Sequence, residues 1–307
     1  MYDYHNPVLL HPSVDALVTN PDGTYVDVTF GGGGHSRAIL NKLSSKGKLI
    51  SFDQDEDTLA RAPQDPRFIL VNHNFQFTKQ YLEFLKASPV DGILADLGIS
   101  SHQIDVGERG FAHRLNGPLD MRMSASTPNS AADIVQKASE KELNYIFKQY
   151  GEIPNARRLT EIIIRSRGTK DLSTIDGFKN AIAACTPGKT PAKYLSQVFQ
   201  ALRIAVNKEM EVLETLLNDA QEIIKPNGKL VVISYHSLED RLVKHLFQTG
   251  NLEGVRHTDL YGHISKPFDS VPNAAITPDE EEIESNKRAR SAKMRIGVRN
   301  TWKKTHS

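Results

Sequence analysis

The sequence predicts an α/β fold: a doubly wound parallel sheet with a helical domain inserted after the fourth strand. Three observations carry this. Short apolar runs rich in β-branched residues alternate with helical patterns through the first hundred residues. The stretch Thr24 to Ser36, TYVDVTFGGGGHS, reads as strand, glycine turn and helix, the first unit of a nucleotide-binding sheet. The alternation then stops near residue 100 and resumes near residue 195. The expected domains are therefore 1–100 with 195–307, discontinuous in the chain, and an inserted helical domain, 101–194.

Each element has a local reason. Residues 5–18 hold two prolines and then a short apolar helix, capped near Ser13. Tyr25 to Phe30 is β-rich and reads as a buried strand, and after the glycines HSRAILNKL has helical spacing with Ala38, Ile39 and Leu43 on one face. Leu49 to Phe52 is a second strand, ending at Asp53, and DQDEDTLARA opens a helix with acids in its first turn, where the dipole favours them. Arg67 to Val71 is a third strand, followed by Asn74 and Phe75, and residues 77–87 are helical by pattern. Val90 to Ala95 is a fourth strand, running into Asp96-Leu97-Gly98. From Ser100 to about Ala192 come a polar loop, helical patterns at 130–149, 155–166 and 174–184, and the link TPGKTPAK. A long helix is expected near 197–224, a turn at Pro226-Asn227-Gly228, a strand from Lys229 to Ser234, a helix over 237–248 and a strand-like KMRIGVR at 293–299.

The bulk numbers set bounds. The 307 residues are 39% hydrophobic and 24% charged, with net charge +1, an ordinary globular composition. One cysteine, Cys185, excludes a disulfide framework and a cysteine metal site. No stretch approaches the ~18 apolar residues of a membrane span, and the polar start MYDYHNP is unlike a signal peptide, so a cytoplasmic protein is expected. The histidines lack ligand spacing, and no bound metal is expected.

Glycine turns after a first strand serve dinucleotide enzymes and S-adenosylmethionine-dependent methyltransferases alike. Asp27, four residues before Gly31, favours the second class, because an acid there can pair with an ammonium and would repel a pyrophosphate. Asp53 suits ribose hydroxyls in either class. Asp96, ending the fourth strand, stands where amino-methyltransferases handle the target nitrogen. A capping or solvated-loop role is the plain alternative for each acid.

The segments GGGGHS (31–36), DLGISSHQID (96–105), RGF (109–111), LDMRM (119–123), FQALRIAVNKEM (199–210), ISYHSLEDRLVK (233–244) and NKRARSAKMR (286–295), in this order, resemble the RsmH/MraW family. These are bacterial methyltransferases acting on cytidine N4 in 16S ribosomal RNA, and the resemblance runs from His5 to about Arg299. It implies a class I, Rossmann-like methyltransferase sheet and an S-adenosylmethionine site made by Gly33, Gly34, His35, Asp53, Phe75, Asp96 and Gln103. The residues themselves suggest the glycines, Asp53 and Asp96, with Phe75 as an apolar wall; His35 and Gln103 rest on the resemblance. The chain departs from the family pattern at Ala112-His113, where Ser-Phe/Tyr is usual, and over Pro191–Val198.

The resemblance implies 16S rRNA, within the small ribosomal subunit, as substrate, and leaves homodimerisation open. Cytidine N4 is a poor nucleophile and needs a proton acceptor. Asp96 is the candidate, helped by Ser100 or Ser101; His236 is a second candidate whose alternative is helix capping. Candidate RNA-facing residues are Arg109, Arg114, Arg122, Arg157, Arg158 and Arg203, with the basic tail from Asn286 to Lys304 after the acidic run at 279–284. Competing readings are a dinucleotide-dependent oxidoreductase, which leaves Asp27 and the motif strings unexplained, and a non-catalytic RNA-binding assembly protein, in which strand-end acids would be lost.

Overall fold

A computed structural model of the chain describes residues 7–301. His5, where the resemblance begins, and Lys303 and Lys304 of the basic tail lie outside the described residues. The chain divides into two compact units, one formed by 1–98 and 211–307, the other by 99–210.

The first unit opens with helix α1 (Leu10–Leu17), strand β1 (Thr24–Asp27), α2 (Gly34–Lys42), β2 (Lys48–Phe52), β3 (Phe68–Val71), α3 (Thr78–Phe84) and β4 (Val90–Asp96). Helix α1 starts at Leu10, and Ser13 sits inside it, its hydroxyl donating to Leu10 O. Regular strand structure in β1 ends at Asp27, though Val28 N still donates to Leu94 O and Phe30 N to Phe52 O, so the backbone stays extended to the glycines. The acidic run after Asp53 forms a short 3-10 turn, Glu56–Arg61, capped by Asp55.

The second unit is helical: α4 (Ser101–Asp105), α5 (Ala131–Lys137), α6 (Glu140–Gln149), α7 (Ala156–Ser166), α8 (Ile175–Ile182) and α9 (Pro191–Asn207). Ser130 with Asp133, and Ser139 with Glu142, form reciprocal capping boxes at α5 and α6, which satisfies amides a helix start would otherwise leave unpaired. Helix α9 buries Val198, Phe199, Ala201, Leu202 and Val206 in this unit's core with Phe147, Leu159 and Phe178. That packing carries residues 195–210 with the helical unit, so its end lies at Met210 rather than 194. The two departures from the family pattern meet here: His113 Nε2 lies 3.2 Å from Ser196 Oγ, and the His113 ring packs edge-on against Phe199.

The single helix expected near 197–224 is two, α9 and α10 (Glu209–Ile223), separated at Lys208, whose φ is 51°. A lysine gains nothing there that glycine would not, and the left-handed region costs a side-chain-bearing residue about 1–2 kcal/mol. Lys208→Gly is expected to raise the unfolding free energy by roughly 1 kcal/mol, readable in urea melts; a loss of stability would show that the Lys208 stem packs usefully.

The chain then returns to the sheet through β5 (Ile224–Ser234), α11 (Ser237–Thr249), β6 (Phe268–Ser270), α12 (Glu280–Ser285) and β7 (Lys293–Arg299). The strand order is β3-β2-β1-β4-β5-β7-β6, with β7 antiparallel to both neighbours and the other pairings parallel. The turn at Pro226–Gly228 appears as an irregularity at the start of β5, where Asn227 has φ 67°. Two apolar layers cover the faces. Leu82, Leu216, Leu217, Leu246 and Phe247 lie over one, and Leu17, Ile39, Leu40 and Met294 over the other. This is a Rossmann-like α/β sheet, the type in which ligands bind beyond the carboxyl ends of the parallel strands. Among the described residues no helix is long and apolar enough to cross a membrane.

Candidate active site at the strand ends

Because β2, β1 and β4 are neighbours, their terminal acids converge. The turn that follows β1 requires glycine at two points: Gly31 has φ 50° and Gly33 has φ 76°. A side chain on Gly33 would put its Cβ 2.8 Å from the Phe30 ring and 2.9 Å from Arg37, and one on Gly34 would meet Pro7 at 2.2 Å. The turn is thus pressed closely by the protein itself at Gly33 and Gly34, Gly33 being buried, and has no room for side chains there.

Two of the acids build that turn. Asp27 is fully buried. Its Oδ2 accepts from Ser36 Oγ at 2.6 Å, and Oδ1 from Thr29 N at 3.1 Å; burial raises its proton affinity. The expected direct pairing of Asp27 with a ligand ammonium is therefore replaced by a scaffold role: the carboxyl staples the end of β1 to α2. Asp53 accepts from Gly31 N at 2.7 Å through Oδ2 and from Asp55 N at 2.9 Å through Oδ1. Each carboxylate oxygen can accept more than one hydrogen bond, so Asp53 keeps capacity for hydroxyl donors. Burial first, against those two bonds, pushes its pKa up to about 6.

Phe75 is half-buried at a 3-10 turn (Phe75–Phe77) held by Asn74, whose Oδ1 accepts from Gln76 N. Asn74 Nδ2 donates to Gln54 Oε1 at 2.8 Å, which ties the loop after β3 to the loop after β2.

Asp96, like Asp53 and unlike Asp27, is only partly buried. Its side chain is 21% exposed. Thr29 Oγ1 accepts from its backbone N at 2.7 Å, and its Oδ1 accepts from the Tyr235 hydroxyl at 2.8 Å. Burial is the main reason its pKa rises to about 7, the Tyr235 bond opposing and Asp27 and Glu239 adding repulsion. His35, in the first turn of α2, is 4% exposed, with Nε2 3.2 Å from Val8 O and Nδ1 3.6 Å from Asp96 Oδ2. Burial lowers its pKa to about 4, so at neutral pH it is uncharged. A carbonyl can only accept, which places the one ring proton on Nε2 and leaves the Nδ1 lone pair facing Asp96.

Several of the remaining candidates are taken up in structural bonds. Ser100 caps α4: its hydroxyl accepts from Gln103 N, and Gln103 Oε1 accepts from Ser100 N, a capping box that explains why Gln103 is buried. His236 caps α11, with Nδ1 accepting from Glu239 N at 3.4 Å and Nε2 3.1 Å from Glu239 Oε1. A ring whose lone pair serves the helix end is poorly placed to accept a substrate proton, so the capping alternative describes it better. Arg122 forms a bidentate pair with Asp120, and Arg203 with Glu209, the latter 13% exposed on each side. Arg109 donates to Arg122 O and Met123 O. Their planar forks are matched by internal acceptors. Arg114, paired with Asp105 at 3.5 Å, keeps 63% of its side chain exposed, and Arg157 keeps 87%; Arg158 is exposed too. In the tail, Arg295 pairs with Asp240, while Lys287, Arg290 and Lys293 stay exposed.

Tyr235 was not among the residues expected from the sequence. The sheet register brings it there: β5 lies beside β4 with Asp96 opposite Ile233, so a residue two positions on reaches the same edge.

The donor set suits a cationic ligand bearing hydroxyls. Asp27 raises the proton affinity of both Asp53 and Asp96 at the glycine turn, and a positive sulfonium or ammonium would relieve that repulsion where a pyrophosphate would add to it. The residues present therefore fit S-adenosylmethionine.

Comparison with known proteins agrees. The MraW methylase family matches residues 3–300. The chain is 52% identical over 294 residues to ribosomal RNA small subunit methyltransferase H of Flavobacterium johnsoniae, covering 96% of this chain and 97% of that one. The protein of the same name in Bacteroides thetaiotaomicron is 50% identical over 293 residues (95% and 96% covered), and that of Cytophaga hutchinsonii is 50% identical over 298 residues (96% and 99%).

Proposed function

The chain belongs to the MraW methylase family, and from that premise we propose that it methylates the exocyclic N4 of a cytidine in the decoding region of 16S rRNA. The substrate is proposed to be the RNA within the small ribosomal subunit, in the cytoplasm. The sheet unit is assigned as the methyltransferase domain and the helical unit as the substrate-recognition domain. S-adenosylmethionine supplies an electrophilic methyl group on a sulfonium. Gly33, Gly34, His35, Asp53, Phe75 and Asp96 would hold it, and Gln103 takes its cofactor role from the family resemblance alone.

The observation that carries this reading is Asp96: a partly exposed carboxyl at the end of β4 with a pKa of about 7. An amine conjugated into a pyrimidine ring has to lose a proton as its nitrogen forms a new bond. A general base works best when its pKa lies near the working pH. Asp96 Oδ2, the oxygen not bound by Tyr235, accepts that proton, and the carboxyl returns it to water afterwards. Asp53 orients hydroxyl groups, and the glycine turn lets the backbone approach. Arg114, Arg157 and Arg158 are the arginines whose exposure suits RNA phosphates; Arg109, Arg122 and Arg203 hold the helical unit together.

The test is methyl transfer from labelled S-adenosylmethionine to small ribosomal subunits purified without this modification. The expected product on nucleoside analysis is N4-methylcytidine. Label on another nucleoside, or binding of a dinucleotide in preference to S-adenosylmethionine, would replace the proposal.

A further inference from the structure

We propose that Tyr235 is the positioning residue of the reaction: its hydroxyl holds Asp96 by Oδ1, so that Oδ2 is the oxygen that takes the N4 proton. The proposal rests on Asp96 being the acceptor. Geometry carries it. A carboxylate has two equivalent oxygens and turns freely about its last torsion, so an unrestrained Asp96 would present either one in a broad range of directions. The 2.8 Å bond from Tyr235 Oη to Oδ1 removes that freedom, and Thr29 Oγ1 fixes the backbone of the same residue. Tyr235 is itself partly buried and its phenol is pushed well above the ordinary range, first by burial and then by Asp96, so it stays a donor throughout the working pH range.

The other oxygen faces a different neighbour. His35 Nδ1 is 3.6 Å from Oδ2, and its ring proton is committed to Val8 O. The imidazole is neutral, so it does not hold Asp96 ionised as a cation would. Instead it offers a lone pair toward which an Oδ2–H can turn. The balance is complete: the N4–H bond breaks, the proton goes to Oδ2, the amine electron pair forms the N–CH3 bond, and the sulfonium leaves as a neutral thioether. Asp96 then loses the proton to solvent.

Within the sheet unit the titratable groups that bear on Asp96 are His35 from α2, Tyr235 beyond β5, Asp27 from β1 and Glu239 from α11. Tyr235 is the one donor to the carboxylate among these. Removing its hydroxyl should therefore raise the proton affinity of Asp96, opposite to the effect of relieving repulsion at Asp27 or Glu239.

The experiment compares wild type, Tyr235→Phe and Asp96→Asn by carboxyl 13C NMR titration of aspartate-labelled protein, Asp96→Asn assigning the resonance. The pH profile of kcat/KM on small ribosomal subunits is measured alongside. In Tyr235→Phe the Asp96 midpoint and the acid limb of the profile should both rise by about one pH unit. The rate at pH 7 should fall by at least about fivefold, and the plateau reached by about pH 9 should stay below wild type because Oδ2 is no longer aimed, with S-adenosylmethionine affinity within about twofold of wild type. Should Tyr235→Phe not fold, difluorotyrosine at position 235, a stronger donor of nearly the same shape, should move the midpoint down. A midpoint unmoved by either change overturns the positioning role. If Asp96→Asn retains rate and acid limb, the acceptor reading falls instead, whatever Tyr235 does.

Discussion

Asp96→Asn is expected to make the protein more stable at pH 8 and nearly inactive. The sign follows from proton linkage. The folded pKa of Asp96 is about 7, against an ordinary 3.8. Below about pH 4 both states hold the proton and Asp96 is neutral in its effect. Between about pH 4 and 7 the unfolded chain releases a proton that the folded chain keeps, so the folded state loses stability as pH rises. Above about pH 7 the penalty is complete. At 1.36 kcal/mol per pH unit it reaches roughly 4 kcal/mol as a ceiling, and a gain of about 2 kcal/mol for asparagine at pH 8 is a reasonable expectation. Asparagine still accepts from Tyr235 through its amide oxygen, so packing is kept. Methyl transfer should fall by roughly 10²–10⁴, the usual worth of a general base, while S-adenosylmethionine affinity stays within about tenfold. Thermal melts at pH 5 and pH 8 check the first part: a gain no larger at pH 8 than at pH 5 would contradict a raised Asp96 pKa. Unchanged turnover would remove it as the proton acceptor.

Gly33→Asp should abolish cofactor binding with the sheet intact. The φ of 76° is costly for any side chain, by about 1–2 kcal/mol. The new Cβ would lie 2.8 Å from the Phe30 ring, which is 2% exposed and has no room to withdraw. The Arg37 side chain on the other side can move. Relief must come from the turn, which is the proposed ligand surface. A loss of roughly 10²-fold or more in S-adenosylmethionine affinity is expected from the combined strain of about 3 kcal/mol, read by calorimetry alongside a circular dichroism spectrum. Affinity within about threefold of wild type would mean that the outer face of the turn does not touch the cofactor.

The strand ends were legible because their signals are local. A β-rich run, a glycine cluster and an acid at a fixed place need no knowledge of the rest of the chain, and Asp53 and Asp96 lie at the carboxyl ends where the spacing put them. The role of Asp27 was misjudged because its partner Ser36 is nine residues away and depends on how α2 packs back. The arginines looked like RNA contacts because a sequence shows charge and hides pairing: Arg203 finds Glu209 across the helix break at Lys208, which an unbroken helix would not predict. Tyr235 lay beyond reach for the same reason, its bond to Asp96 crossing 139 residues. Ser100 and Gln103 are the opposite case. Their capping box is written plainly as Ser-x-x-Gln, and a reading for chemistry passed over it.

The discontinuity of the sheet has a bearing on how the protein is made. Strand β4 ends at Asp96, and its parallel neighbour β5 begins at Ile224, so residues 97–223 must be synthesised between them. At about 5–20 residues per second the ribosome takes roughly 6–25 s over that stretch. During this time β1 to β4 exist as half a sheet, with the apolar edge of β4 unpaired. The helical unit, whose core is contained within residues 111–206, has time to collapse first, since helical contacts form in microseconds to milliseconds. The nascent chain thus carries an unpaired β4 edge while the helical unit forms, and protection of that edge until β5 emerges is a demand this architecture places on the cell.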